Sequence, residues 1–163
     1  MSRSIRLRVL AGTFVLLAGL GPLAGCGDDG GTTVSTKDGK VKVDQDKVTV
    51  ETSEGTATIG NDLPEGFPKD DVPLVDQKVV SGVKGSAGGP FAWSVVMTST
   101  KAVEALTTEV TNGFGDAGYS TGQSTDLGDV SIRQFTNDRY DVGVTIARTG
   151  DGVTITYLVK NKS

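Results

Sequence analysis

Phe91-Ala92-Trp93-Ser94-Val95-Val96-Met97-Thr98, followed by Ser99-Thr100-Lys101-Ala102-Val103, is the stretch on which the fold turns. Successive side chains of an extended chain point to opposite faces, so Phe91, Trp93, Val95 and Met97 share one face of a strand. Ala92, Ser94, Val96 and Thr98 share the other. At Ser99 the period changes. Val103, Leu106, Val110 and Phe114 recur at helical spacing, with Ala102 and Ala117 beside them, which predicts a helix with one apolar stripe. Ser99 or Thr100 suits its N-cap, because a hydroxyl accepts from the free N–H groups of the first turn. Gly118 suits the left-handed position past its end.

Period two returns downstream of Tyr119. Val130 and Ile132 alternate with Ser131 and Arg133; Val142, Val144 and Ile146 with Gly143, Thr145 and Ala147; Val153, Ile155, Tyr157 and Val159 with Thr154, Thr156 and Leu158. Thr149-Gly150-Asp151-Gly152 reads as the turn of a hairpin between the last two runs. Upstream, Val75 to Val83 reads as one more strand, ended by the loop Lys84 to Pro90. The order strand, strand, helix, then three or four strands predicts an α+β fold. Residues 74–163 are expected to form its core domain, a mostly antiparallel sheet of five to six strands packed on one helix.

Ahead of that domain, Val41, Val43, Val48, Val50, Ala57 and Ile59 alternate with polar residues, so residues 40–60 are read as a small β-hairpin or meander. Residues 61–73 hold Pro64, Pro68 and Pro73 and form a stiff connector, since proline fixes φ and biases its predecessor toward extended geometry. Residues 26–39, polar and glycine-rich, are read as a disordered tether with too little apolar area to offset ordering entropy. Its reach, taken over Gly27 to Asp38, is roughly 20 Å.

The first 25 residues read as an export signal. Arg3, Arg6 and Arg8 form a basic head; Val9 to Ala24 is uncharged and mostly apolar, shorter than the ~20 residues of a spanning helix. The closing Leu23-Ala24-Gly25-Cys26 resembles the lipobox of bacterial lipoproteins at every position. That resemblance implies acylation of the Cys26 thiol, cleavage before it, and a lipid anchor on the extracytoplasmic face of the cell membrane. A second resemblance lies in Leu63-Pro64-Glu65-Gly66-Phe67-Pro68 with Asp71-Val72-Pro73-Leu74. It is similar to a segment of small secreted lipoproteins of actinobacteria, with Asp70 and Asp71 where one aspartate is usual. This implies an address and an architecture but no catalytic residue.

Composition narrows the function classes. With Arg3, Arg6 and Arg8 removed from the 16 basic residues, 13 remain against 20 acidic ones, a balance that disfavours nucleic acid as a partner. The chain has no histidine, and Cys26 is its one cysteine. The commonest general base and zinc ligand is therefore missing, and no disulfide can form within the chain. Gly85 to Gly89 lacks the Lys-Ser/Thr ending of a phosphate loop, and no nucleophile elbow occurs. No catalytic, cofactor-binding or metal-ligating residue is assigned, and no cofactor is expected.

Two surfaces remain as candidates. One helix cannot cover both faces of such a sheet, and the second face is expected to present Ser94, Val96, Arg133, Phe135, Thr145, Thr154, Thr156 and Leu158. The other is Asn137-Asp138-Arg139-Tyr140-Asp141, whose groups could meet sugar hydroxyls but also suit a turn. The chain is thus expected to be a non-catalytic envelope lipoprotein, a binding or structural module tethered to the membrane through acylated Cys26, with an envelope protein or a glycan as its partner. The alternative is a carrier or sensor of a lipid or other apolar ligand held between helix and sheet.

Overall fold

A computed structural model of the chain describes residues 32–44, 47–86 and 89–162. The expected signal at residues 1–25, Cys26 and the first part of the expected tether lie outside the described residues. Ten strands form one sheet: β1 (Thr32–Thr36), β2 (Gly39–Asp44), β3 (Lys47–Thr52), β4 (Gly55–Ile59), β5 (Lys78–Gly85), β6 (Trp93–Ser99), β7 (Ser120–Leu127), β8 (Val130–Thr136), β9 (Tyr140–Thr149) and β10 (Gly152–Asn161). The spatial order is β1-β2-β3-β4-β5-β6-β10-β9-β8-β7, and every neighbouring pair is antiparallel. The helix α1 (Val103–Asp116) carries the chain from β6 to the far edge at β7, and hairpins bring it back to place β10 beside β6.

This corrects the expected α+β fold of five to six strands. Residues 40–60 are no separate preface, because β4 pairs with β5 from Gly55↔Gly85 to Ile59↔Ser81 and so joins the main sheet. The tether expectation also changes: Thr32–Thr36 of the 26–39 segment form β1, paired with β2 from Thr32↔Val43 to Thr36↔Gly39. Backbone pairing to a neighbouring strand ordered a segment whose side chains alone could not.

One face of the sheet is covered from β5 to β8. There α1 lays down Val103, Leu106, Val110 and Phe114, all buried, against Phe135, Val142, Val144, Ile146, Ile155 and Tyr157. Phe114 stacks on Phe135 at 4.2 Å between ring centroids and meets Tyr119 edge-on at 4.9 Å. A Schellman motif ends the helix: Tyr119 N–H donates to Phe114 O and Gly118 N–H to Gly115 O, with Gly118 at φ 78°. The N-cap is Ala102 instead of Ser99 or Thr100, and it makes no side-chain cap bond. Ser99 is the last residue of β6, where its hydroxyl accepts from Lys101 N–H.

The proline-rich segment covers the same face over β5 and β6, while on β1 to β3 that face stays open among the described residues, with Lys40, Lys42 and Glu51 exposed. Phe67, Val72 and Val75 are buried in the same core, and Val75 N–H donates to the Tyr157 hydroxyl at 3.3 Å. Trp93 Nε1 donates to Glu65 O at 3.2 Å, and its ring meets Phe67 edge-on. Pro64 sits directly on Gly82 of β5: a Cβ added there would lie 2.5 Å from Pro64 Cδ. The glycine is what admits the proline.

Candidate contact face

The opposite face has no covering element among the described residues. Cross-strand partners share a face, so the registers define what it shows. One row runs Val34, Val41, Val50, Ala57, Val83, Ser94, Leu158, Gly143, Gln134 from β1 to β8. The next runs Thr32, Val43, Val48, Ile59, Ser81, Val96, Thr156, Thr145, Ile132, Thr125 from β1 to β7. Neither row contains a charged residue.

The two halves of the face differ in chemistry. On β1 to β4 the rows are aliphatic, with Val34 44%, Val43 43% and Ile59 59% exposed. The charged residues of these strands, including Lys40, Lys42, Lys47 and Glu51, stand on the other face. On β8 to β10 the rows mix Thr145, Thr156 and Gln134 with exposed Leu158 and Ile132, and they open into a depression of about 490 Å³ around Gly143. A Cβ added at Gly143 would meet nothing within 4 Å. Leu158 forms an aliphatic wall of the depression, and Gln134, Thr136, Asp141 and Lys160 supply polar groups at it. The Asp141 carboxylate accepts from Thr136 Oγ1 at 2.6 Å, which fixes its orientation.

Of the residues expected on the second face, Ser94, Val96, Thr145, Thr154, Thr156 and Leu158 are brought together there. Arg133 and Phe135 are not. Their partners Val144 and Val142 belong to the covered face, so both point toward α1. Stacking on Phe114 buries Phe135, and Arg133 lies beside it on the same strand. Arg133 donates to Asp126 Oδ2 at 2.8 Å, and this guanidinium holds the Asp126 carboxyl below the usual carboxylate range.

Asn137 to Asp141 is engaged internally. Asn137 Oδ1 accepts from the N–H groups of Arg139 and Tyr140, which builds the β8–β9 turn. Arg139 pairs with Asp71 of the connector and lies over the Tyr140 ring at 5.6 Å. Tyr119 Oη donates to Asp71 O, and burial pushes its phenol pKa up. Lys162 Nζ donates to Asn137 O at 2.8 Å. These contacts fasten connector, helix end and the residues after β10 together, and of the five only Asp141 lines the depression.

The seam between helix and sheet is filled: Leu106, Phe114, Val144, Ile146, Ile155 and Tyr157 are all fully buried. A gap of about 140 Å³ lies between α1 and the connector, lined by Pro73, Leu74, Val75, Glu109, Val110 and Gly113. Sites for drug-sized ligands occupy about 300–1,000 Å³. Among the described residues no three His, Cys, Asp or Glu side chains gather to hold a metal ion, and no helix is long and apolar enough to cross a membrane. Comparison with protein-family models, curated proteins and solved structures finds no match to the chain.

Proposed function

We propose that this chain is a cell-envelope lipoprotein, acylated at Cys26, whose sheet domain is a non-catalytic contact module. The observation that supports a contact role is the asymmetry of the sheet. Helix and connector bury one face from β5 to β8, while the other presents two uncharged rows and the Gly143 depression. The depression combines an aliphatic wall with amide, hydroxyl, carboxylate and ammonium groups. That mixture suits a glycan or a polar segment of an envelope protein, each of which offers hydroxyl or amide groups beside apolar surface. The filled seam weighs against an apolar ligand held between helix and sheet.

Two experiments test the parts separately. Mass analysis of the mature N-terminus should show acylated Cys26, with processing blocked in Cys26→Ala; an unmodified cysteine overturns the anchor. Chemical crosslinking of the intact chain in its native envelope should recover a protein or glycan attached near Gln134 or Lys160. Recovery of lipid alone overturns the partner reading.

A further inference from the structure

We infer that the aliphatic part of the open face on β2 to β4 lies against the lipid surface to which the chain is anchored. The inference rests on the proposed attachment at Cys26 and adds a docking surface to it. Its first support is distance along the chain. Residues 27–31 separate Cys26 from Thr32, the first residue of β1, and an extended chain of that length spans at most about 20 Å. The interfacial region of one leaflet is itself about 5–8 Å thick. The folded part therefore starts within about 15 Å of the headgroup surface, near enough for its first strands to reach it.

The second support is what the chain presents there. Val34 in β1 opens a row that continues through Val41, Val50, Ala57 and Val83, with Val43, Val48 and Ile59 beside it. Three strands about 4.8 Å apart and two rows about 7 Å apart give a patch on the order of 200 Å². A patch of this size is ordinary for a protein surface, so it counts here because Val41, Val43, Val48, Val50, Ala57 and Ile59 fill it without one polar residue. No charge on these rows has to leave water, and Lys40, Lys42 and Glu51 point to the opposite face. The apolar half is the one next to the anchor. Neighbouring strands in a sheet twist by about 20–25°, so about four pairings turn the face through a right angle. A bilayer under β2 to β4 accordingly leaves the Gly143 depression on β9 facing sideways, open to a partner.

The test uses the full chain extracted from the producing membrane and placed in vesicles of phosphatidylethanolamine and phosphatidylglycerol carrying nitroxide lipids. A thiol-reactive fluorophore is attached to Val43→Cys or Ile59→Cys on the open face, and to Lys42→Cys on the other. Residues 42 and 43 are adjacent in sequence, so they share every property except the face. Because an interfacial group sits about 5–10 Å into the headgroup boundary, quenching at 43 and 59 should exceed that at 42 by about threefold or more. Equal quenching at all three positions, in chain that floats with the vesicles, overturns the docking while leaving the anchor standing. Quenching that needs no nitroxide and falls on dilution with unlabelled chain identifies a second copy on the face and also overturns it. Failure to float, or dye uptake by the unsubstituted chain at Cys26, overturns the attachment itself.

Discussion

Two glycines on opposite faces of the sheet turn the distinction between covered and open into a measurement. At Gly82 an added Cβ meets Pro64 Cδ at 2.5 Å, Cγ at 3.0 Å and N at 3.1 Å, and the proline cannot rotate away. At Gly143 it meets nothing. Neither glycine has positive φ, so alanine is compatible with both backbones. Gly82→Ala should lift the connector, at the cost of about 1–3 kcal/mol that overpacking carries. For a domain of this size that is a fall of roughly 3–10 °C in Tm. Gly143→Ala should be neutral or raise stability by up to about 1 kcal/mol, since it only restricts the unfolded chain. Urea denaturation followed by the fluorescence of Trp93, whose indole is held by Glu65 of the same connector, reads both. Pro64→Ala removes Cγ and Cδ, so the double variant with Gly82→Ala should recover about 1 kcal/mol of the loss. A Gly82→Ala variant as stable as the parent, or a cycle with no coupling, refutes the placement of the connector on β5.

Other outcomes follow from the same packing. Phe114→Ala, which removes a fully buried ring stacked on Phe135, should cost about 3–5 kcal/mol in thermal or urea melts. Trp93→Ala, at a half-buried ring on the connector edge, should cost clearly less; the reverse order would misplace the core. Burial pushes the Tyr157 phenol up to about 12, above its value of 10 when unfolded. A raised pKa gives stability that is complete below pH 10 and is lost as pH rises toward 12, worth about 2–3 kcal/mol. Tyr157→Phe should flatten most of this alkaline loss in a pH series of urea midpoints, while leaving Val75 N–H without its acceptor. Gly143→Arg should fill the depression without lowering Tm and should abolish crosslinking to a partner at Lys160; an unchanged crosslink would move the contact elsewhere.

The local pattern of the fold is legible in the residues, and the assembly is not. Trp93, Val95 and Met97 do share the covered face, and Val103, Leu106, Val110 and Phe114 are the buried stripe of α1. The alternation in β2 to β4 correctly places Val41, Val43, Val48, Val50, Ala57 and Ile59 on one side. Which side of the sheet that is depends on the β4–β5 register, formed across the whole proline segment, and period two carries no record of it. The same ambiguity misplaced Arg133 and Phe135: alternation within β8 is plain, but only the stack on Phe114 decides its sign. β7 has almost no apolar residue to alternate, because it is an edge strand exposed along nearly all its length. Neither Gly82 nor Gly143 announces its role in sequence. One glycine receives a proline and the other opens a depression, and the difference lies entirely in what the fold brings near them.

The position of β10 governs when this sheet can exist. It is last in sequence among the described strands, yet it stands between β6 and β9 and supplies Val153, Ile155, Tyr157 and Val159 to the core. A chain threaded through a pore from its N-terminus delivers every other strand first. Until β10 emerges, β6 and β9 have no common neighbour, and the two flanks of the sheet remain unjoined. The early hairpins can pair, since their contacts are local, but the cooperative core must wait for the whole length. Such an order of events delays final closure of the sheet until residues 152–161 are free to insert between β6 and β9.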